Sequence, residues 1–471
     1  MVCPGPRRDT GTGAPGSPSV KPVVIVGGGL SGLASGVLLS RYDIPVLLLE
    51  QKPAAGGRTS SFRDPVTGEA LDNGQHTLIA GYESTNRFLT LLGTAHLLRV
   101  QERPRLRFHH PVRGFCTLEL PRLSAPYNLG AGILRTDLLS GADRVRLLRA
   151  GISLLTLSAR REARLAEWTI EEWLTGTGQS AEARRSFWEP LAVSVMNETC
   201  DRASALVFLR ALRKAFLGHW RAAAFAVPTV GLSDLFVQPA VALIRRAGGE
   251  VRCGASVLEL LTSGGTASGV RVRGSGDVEA RGVVLAVPSD KVARLLPAPV
   301  RSATGLAGFD DFALSPIVSI YLWYQENFMG SEEILGLIGT HIQWLFNRRA
   351  LVPSTIDSPR GFVCGVISAA HQSSDLSNEE LTRQAVEDLR GIYGEAAAAP
   401  LRAMVLRERR ATFSPTPAFE RRRPGAATPI PGLFLAGDWT ATGLPATIEG
   451  AVLSAERCAE HVRAWRAGRT G

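Results

Sequence analysis

The strongest constraint on the fold is a strand–turn–helix–strand segment over Pro22–Gln51. It holds an apolar strand (VVIV), a helix expected over about Ser31–Ser40 and a second, parallel apolar strand (PVLLLE). The turn between the first strand and the helix carries Gly27, Gly29 and Gly32 in the spacing G-x-G-x-x-G. The first glycine permits a tight turn, the second lets backbone approach a pyrophosphate, and the third lets helix and strand pack closely. This βαβ unit predicts a dinucleotide site.

Both ends of the unit add candidate ligands. The helix that begins at Ser31 offers unpaired N–H groups and partial positive charge to the phosphates. Glu50 ends the second strand, where a carboxylate can accept both ribose hydroxyls, and the adjacent Gln51 is a further candidate ligand. A carboxylate at this position repels a 2′-phosphate, which argues against NADP. The alternative is a Gly-rich turn with a structural role only.

An arginine follows the second strand and narrows the choice of dinucleotide. The stretch AAGGRTSSF places Gly56, Gly57 and Arg58 there. Arginine can neutralise a pyrophosphate from the far side, and glycines permit close approach. With this GGR the sequence resembles the superfamily of flavin-containing amine oxidases and phytoene desaturases, which carries GGR after its Rossmann unit. The resemblance implies FAD as the cofactor.

The resemblance extends to two internal segments. The segment LDNGQH, Leu71–His76, matches one that lines the flavin in this superfamily, so Gln75 is a candidate flavin ligand. Val257 follows the turn RRAGGEV and matches a residue that reaches the adenine through its backbone.

The C-terminal region carries a second part of the implied flavin site. In the superfamily the aspartate of the pair Gly437–Asp438 binds the ribityl chain. The helix entered near Ala446–Ile448, with Thr447 and Ile448 as candidate ligands, directs its N-terminus at the flavin N1–C2=O edge. A positive helix end there stabilises the anionic reduced flavin by a few tenths to ~2 kcal/mol. The alternative role for Asp438 is an ordinary helix or loop cap.

The predicted fold class is α/β, with a Rossmann-type FAD-binding domain (GR2 or amine oxidase-like) and an inserted α+β substrate domain. Nucleotide-binding elements recur near the start, the middle and the end of the 471 residues. The predicted segments are a disordered tail over 1–20, FAD-binding parts over 21–125, 230–300 and 425–471, and substrate-domain parts over 126–229 and 301–424.

Charge and cysteine content exclude several classes of function. The net charge is +10, but no RNP-like, zinc-finger or helix-turn-helix signature accompanies it, so we predict no nucleic acid partner. The six cysteines are scattered without CxxC pairing, which argues against a metal site or a disulfide framework and fits a reducing compartment. Residues 1–20 lack the apolar core of a signal peptide, and no apolar run reaches about 18 residues, the length of a spanning helix.

Three segments narrow the resemblance to one branch. They are DNGQHTLIAGY (Asp72–Tyr82), ERRATFSPTP (Glu408–Pro417) and AGDWTATGLPATIEGAVLSAE (Ala436–Glu456). They resemble the squalene-associated, FAD-dependent desaturase-like proteins, the hydroxysqualene dehydroxylases of hopanoid biosynthesis. This implies that an allylic hydroxyl leaves as water, that a hydride from reduced FAD replaces it to give squalene, and that an external electron donor regenerates the flavin.

The implied reaction needs a proton donor near the hydroxyl. Asp72 and His76 are the candidate catalytic residues, because they are the titratable groups in the motif that lines the flavin. Each has a structural alternative: Asp72 can fix a turn, and His76 can pack on the flavin or satisfy backbone groups.

Three other functions stay open. A carotenoid or phytoene-type desaturase or isomerase would use the same FAD. An amine oxidase of this fold generally has a lysine near flavin N5, and none of the four lysines (Lys21, Lys52, Lys214 and Lys291) is an obvious candidate. Prenyl-lipid escort proteins share the fold without flavin chemistry, but the intact cofactor motifs argue against that function. The oligomeric state is not predicted.

A polyprenoid substrate implies a membrane partner. Thirty carbons at roughly 0.8 kcal/mol each represent about 24 kcal/mol of transfer free energy out of water. Residues 138–168 and 205–221 combine apolar residues at helical spacing with basic residues, which fits interfacial helices or ordinary amphipathic core helices. We therefore expect a cytoplasmic protein that associates peripherally with the inner face of the cell membrane.

Overall fold

The computed structural model describes residues 21–352 and 360–468, and the predicted tail over 1–20 lies outside these ranges. The strands are β1 Val23–Val26, β2 Val46–Glu50, β3 Ser61–Arg63, β4 Ala70–Asp72, β5 Leu78–Ile79, β6 Leu98–Val100, β7 Arg105–His110, β8 Gly114–Glu119, β9 Phe225–Pro228, β10 Glu250–Cys253, β11 Val257–Ser263, β12 Thr266–Val272, β13 Gly276–Glu279, β14 Gly282–Leu285, β15 Leu314–Tyr324, β16 Ile334–Leu337, β17 Trp344–Asn347, β18 Gly361–Ile367, β19 Arg402–Phe413 and β20 Leu433–Leu435. The helices are α1 Leu30–Ser40, α2 Glu83–Leu92, α3 Tyr127–Arg135, α4 Gly141–Leu155, α5 Ala159–Leu165, α6 Ile170–Gly176, α7 Ala181–Ala183, α8 Glu189–Met196, α9 Ala205–Phe216, α10 Gln238–Arg246, α11 Ser289–Val292, α12 Ala298–Ala303, α13 Arg348–Leu351, α14 Asn378–Tyr393, α15 Pro417–Arg422 and α16 Ile448–Arg466.

A parallel sheet of order β10–β2–β1–β14–β20 organises the nucleotide-binding part. Its strands come from the start, the middle and the end of the chain, so the fold brings these three stretches together. β1 is buried along its whole length, as expected for a parallel strand covered on both faces. Helices α1, α10 and α16 pack on one face, and the antiparallel β11–β12–β13 sheet covers the other. The predicted α/β fold is confirmed.

A second sheet has the order β19–β15–β18–β17–β16–β7–β8 and is largely antiparallel. Its hairpin β7–β8 covers residues 105–119 and joins it through a parallel pairing with β16. The predicted FAD-binding segment 21–125 is therefore too long at its C-terminal end. The sequence pattern of the hairpin is the same whichever sheet it joins. Its pairing with the distant strand β16 places it in the second sheet.

Helices α3–α9 form a layer whose core contains three large aromatic side chains, Trp173, Trp188 and Phe208. The Trp173 and Trp188 rings meet edge to face with centroids 5.0 Å apart. The apolar face of α9 packs into this core, and Leu209 is fully buried. Of the two interpretations left open for residues 205–221, the ordinary amphipathic core helix describes α9, which covers residues 205–216. Among the described residues, no helix is both long and apolar enough to cross a bilayer.

Candidate active site

One cavity of about 820 Å³ lies at the carboxyl edge of the parallel sheet and reaches the second sheet and the helical layer. Open α/β sheets bind ligands at this edge. Glu50 and Asp438, from opposite ends of the chain, both line this cavity, as do Ser31, Gln51 and Val257. The predicted cofactor ligands therefore share one space, apart from Gly32, which lies behind its wall.

The glycines of the first turn differ in what surrounds them. Gly27 has φ +110°, and a Cβ there would lie 2.5 Å from the carbonyl oxygen of Ala286. A Cβ at Gly32 would lie 2.0 Å from the carbonyl oxygen of Gly27. A Cβ at Gly29, in contrast, would meet no atom within 4 Å. Gly27 and Gly32 thus let α1 and the neighbouring strand close up, and Gly29 leaves room beside the helix N-terminus for a phosphate.

The carboxylate of Glu50 is held in a fixed orientation at the end of β2. Its Oε2 accepts a 2.7 Å hydrogen bond from the N–H of Gly28, and its Oε1 accepts one of 2.7 Å from the N–H of Lys52. Each carboxylate oxygen can accept more than one hydrogen bond. Glu50 therefore stabilises the Gly-rich turn and still offers lone pairs to ribose hydroxyls.

Arg58 and Asp438 form an ion pair across the cavity wall. Nη2 of Arg58 lies 2.9 Å from Oδ1 and 2.8 Å from Oδ2 of Asp438, and Nη1 donates to the carbonyl oxygen of Ala411 at 2.7 Å. The charge of Asp438 raises the pKa of Arg58 and outweighs the opposing effect of desolvation. Buried Arg423 donates to the carbonyl oxygens of Asp438, at 2.7 Å, and of Trp439, which fixes the loop that carries this aspartate.

The N-terminus of α16 reaches the same cavity. Thr447 caps the helix by accepting from the N–H of Gly450 at 3.0 Å, and Thr447 and Ile448 both line the cavity. The carboxylate of Glu449 is directed away to α2, where Oε2 accepts from the N–H of Thr85 at 2.9 Å, and Oε1 pairs with Nζ of Lys214 at 2.7 Å. The partial positive charge of the helix end is therefore free to face a ligand in the cavity.

The segment after β4 lines the cavity through Gly74, Gln75 and His76. Oε1 of Gln75 accepts from Nη1 of Arg348 at 2.6 Å. Nδ1 of His76 lies 2.9 Å from the carbonyl oxygen of Gly74, so it carries the proton and donates. Burial lowers the pKa of His76, and the charge of Arg58 acts in the same direction. The imidazole is thus neutral at neutral pH, with Nδ1 committed to the backbone.

Asp72 lies behind the cavity wall and does not line it. Its Oδ1 accepts from Oγ of Ser61 at 2.7 Å and from the N–H of Leu232 at 3.0 Å. Its Oδ2 lies 3.7 Å from the guanidinium of Arg348, which is also buried. The assignment of Asp72 as a proton donor is therefore wrong, since its carboxylate ties β4 to neighbouring elements and has no access to a substrate.

These features fit FAD. The Gly-rich turn, the fixed Glu50 carboxylate, Arg58 with Asp438, and the α16 N-terminus all border one space. The sequence profile of the family described as flavin containing amine oxidoreductase matches residues 30–463. The chain belongs to this family. It is an FAD-dependent oxidoreductase.

Individual relatives align with nearly the whole chain. A hydroxysqualene dehydroxylase from Rhodopseudomonas palustris is 32% identical, over 94% of this chain and 99% of its own length. A 15-cis-phytoene desaturase from Arabidopsis thaliana is 23% identical, over 93% of this chain and 79% of its own length. An oxidoreductase structure from Methanosarcina mazei superposes with a TM-score of 0.71 at 18% identity, covering 93% of this chain and 99% of that one, and supports the fold.

The structure adds polar residues that the sequence did not assign to this flavoenzyme site. Glu408 of β19 lines the cavity, and its Oε2 accepts from Nδ2 of Asn73 at 3.2 Å. Asn197 adopts a left-handed conformation with φ +48°, and its Nδ2 donates to Oγ1 of Thr412 at 2.8 Å. Glu408 and Thr412 fall within ERRATFSPTP, so resemblance marked the stretch, but only the pairing of β15 with β19 directs them to the cavity.

Three of the four lysines, Lys52, Lys214 and Lys291, also line the cavity. Lys52 follows directly after Glu50 and Gln51, whereas Lys214 and Lys291 lie far along the chain from the recognised motifs. The ammonium of Lys214 is bound to the fully buried Glu449. This ion pair joins α9 to α16 and neutralises a carboxylate that would otherwise lie uncompensated beside the cavity.

Proposed function

We propose that this flavoenzyme reduces an allylic alcohol of a polyprenoid, and that its reaction is the conversion of hydroxysqualene to squalene in hopanoid biosynthesis. The observation that carries the proposal is the continuity of the FAD cradle with an apolar extension of the same cavity. The relatives named hydroxysqualene dehydroxylase, which align over almost their full length, support it.

The apolar extension is built from the hairpin β7–β8, from the helical layer and from the second sheet. Its walls carry large apolar side chains, among them Leu106, Leu118, Leu120, Phe187, Leu191 and Val195. Such walls bind a hydrocarbon chain by removing it from water. They also keep water away from an allylic cation, which water would otherwise capture.

The proposed reaction replaces a hydroxyl by a hydrogen: the alcohol takes up a proton and a hydride and releases water. When bound, reduced FAD supplies the hydride. Arg58, Asp438 and the α16 N-terminus hold the cofactor, and Glu50 holds its ribose. The proton comes from the imidazolium form of His76, in which Nδ1 still donates to the Gly74 carbonyl and Nε2 carries the second proton, which is the one transferred. Glu408, which lines the same cavity, is the second candidate donor.

The proposal includes an external electron donor that regenerates reduced FAD, and work at the inner face of the cell membrane. Peripheral association is supported by the substrate, because a thirty-carbon hydrocarbon partitions into bilayers rather than water. No helix of the described residues could anchor the protein by spanning the bilayer.

Product analysis tests the proposed function. Purified holoprotein is incubated anaerobically with a chemical reductant and hydroxysqualene, and in parallel, in its oxidised form, with phytoene. We expect squalene from the first incubation and unchanged phytoene in the second. Desaturated phytoene with no squalene would instead assign the chain to the desaturases. A protein that does not bind FAD and converts neither substrate would favour an escort role.

A further inference from the structure

We propose that the exposed face of α3 and α4 is the surface on which this protein docks to an anionic lipid bilayer. The proposal rests on the proposed function, because a polyprenoid substrate must be taken from a membrane. It assigns the contact to a particular surface, which we call the docking face: the loop residue Leu123 and the outward sides of α3 and α4.

The first observation is a continuous apolar stripe on α4. Val145, Leu148, Ile152 and Leu155 follow the spacing i, i+3, i+7 and i+10, which places them on one side of the helix. Ile152 is 51% exposed and Leu155 is 48% exposed. The other side of α4, with Leu147 and Leu154, is buried in the helical layer. The helix therefore has a second apolar side, on which Val145, Ile152 and Leu155 are about half exposed.

The stripe continues onto α3. Tyr127 and Leu134, seven residues apart, are 71% and 53% exposed. A Cβ at Gly130 would lie 3.9 Å from Cδ2 of Leu148, so the two helices meet along this face. The guanidinium of Arg144 on α4 donates to the carbonyl oxygen of Leu134 at 3.0 Å and fixes one helix against the other. Six large apolar residues are thus exposed within residues 123–155, which is unusual for a soluble surface.

The charge around the stripe identifies the partner. Residues 122–161 contain seven arginines and two aspartates, so their net charge of +5 is half of the chain's net charge of +10. Asp143 is buried and paired with Arg146 at 2.8 Å, so it offers little negative charge to solvent. Arg135, Arg149 and Arg160 are exposed beside the apolar residues. An apolar stripe bordered by arginines matches the interface of a bilayer with anionic headgroups.

The docking face lies close to the apolar end of the cavity. Leu120 lines the apolar extension of the cavity. A Cβ at Gly132 of α3 would lie 2.6 Å from Cδ2 of Leu120, so the α3 backbone presses directly on a cavity-lining side chain. A single helix therefore separates the apolar end of the cavity from the docking face. A bilayer bound there is adjacent to the space that holds the hydrocarbon.

Vesicle flotation of the FAD-loaded protein tests the docking face. Vesicles of phosphatidylcholine with about 30% phosphatidylglycerol are compared with pure phosphatidylcholine, because surface charge of this order attracts basic segments. The test variant carries Ile152→Glu and Leu155→Glu. The matched control carries Val66→Glu and Leu401→Glu, two residues that are 73% and 54% exposed and lie outside the docking face. Flavin absorbance and thermal unfolding verify that both variants are folded.

We expect the native protein and the control to bind anionic vesicles, with binding that weakens as salt rises. The test variant should bind at least about tenfold more weakly, which corresponds to a loss of about 1.4 kcal/mol. Binding of the test variant that equals that of the native protein would overturn the proposal. Absence of native binding in low salt, or an equal loss in the control, would overturn it as well.

The same variants separate this proposal from the proposed function. The test variant should keep native turnover of hydroxysqualene presented in detergent micelles and lose turnover of hydroxysqualene embedded in vesicles. If no protein turns over hydroxysqualene in micelles, the proposed function fails while flotation still decides the docking face. Equal loss of turnover in both media would overturn the docking role, since it would show damage to the enzyme itself.

Discussion

Replacement of Arg58 by methionine tests how the cofactor cradle is held together. Methionine keeps much of the length of the side chain but removes its charge and its donors. The change leaves the carboxylate of Asp438, whose side chain is 6% exposed, without the guanidinium that lies 2.8 Å away. It also removes the donor to the Ala411 carbonyl. We expect both weaker FAD binding and a less stable apoprotein.

The magnitudes follow from these contacts. Removal of one partner of a buried ion pair costs about 3–5 kcal/mol. The Arg58 side chain is 40% accessible because it lines the cavity, so solvent reduces this cost, and we expect a loss of about 2–3 kcal/mol in the free energy of unfolding of the apoprotein. Loss of a charged donor to the pyrophosphate is worth about 1.5–3 kcal/mol, or roughly 10–150-fold in the Kd for FAD.

Fluorescence titration of apoprotein with FAD, together with denaturant unfolding, measures both effects. Arg402→Met is the matched control, because Arg402 pairs with the fully buried carboxylate of Asp64 far from the cofactor cradle. It should lower stability by a similar amount and leave the Kd for FAD unchanged. Asp438→Asn, added to Arg58→Met, should recover part of the lost stability by removing the unpaired charge. Equal effects of Arg58→Met and Arg402→Met on FAD affinity would refute the reasoning.

The remaining predictions concern a proton donor, the Gly-rich turn and an ion pair. His76→Asn should lower turnover of hydroxysqualene far more than FAD affinity, and unchanged turnover would remove His76 from the mechanism. Because burial lowers the pKa of His76, the proton-donating imidazolium is lost, and turnover of the native enzyme should fall, as pH rises through a value below 6.5. Gly29→Val should give a folded protein that purifies without FAD, because the added side chain enters open cavity space. Gly32→Ala should lower the free energy of unfolding by about 1–3 kcal/mol, because its Cβ would meet the Gly27 carbonyl oxygen. Loss of stability in Gly29→Val and loss of FAD alone in Gly32→Ala, measured by denaturant unfolding and flavin absorbance, would contradict this. Hydrogen bonds from Arg402 hold the pKa of Asp64 well below its usual range, so the stability difference between the native protein and Arg402→Met should be full above about pH 4 and shrink as pH falls below it, measured by unfolding at several pH values.

The parts of the site that lie close together in sequence were predictable. The turn Gly27–Gly32 and Glu50 fall within one βαβ unit, whose spacing fixes its geometry. The second half of the cradle, with Asp438 and the α16 N-terminus, was placed by resemblance, since nothing local in that stretch indicates a partner such as Arg58, 380 residues earlier.

The errors arose where a distant contact decides the outcome. Asp72 and His76 share one short motif. Only the contacts of the Asp72 carboxylate with the N–H of Leu232 and the guanidinium of Arg348 show that it has a structural role. Residues 105–119 have a hairpin pattern, but their sheet is set by β16. The helical blocks are amphipathic in sequence, yet the apolar face of α9 is buried in the core while α4 keeps exposed apolar residues on its outward side, and packing alone separates the two cases.

The central claim is that one cavity holds FAD against a polyprenoid and reduces it. An anaerobic single turnover tests this claim directly: holoprotein with its FAD reduced is mixed with hydroxysqualene, and flavin absorbance and products are followed together. The account predicts one squalene formed for each FAD reoxidised, with no reoxidation when the substrate is omitted. Reduced flavin that persists in the presence of hydroxysqualene, while oxidised holoprotein is reduced by phytoene, would contradict the account and reverse the direction of hydride transfer.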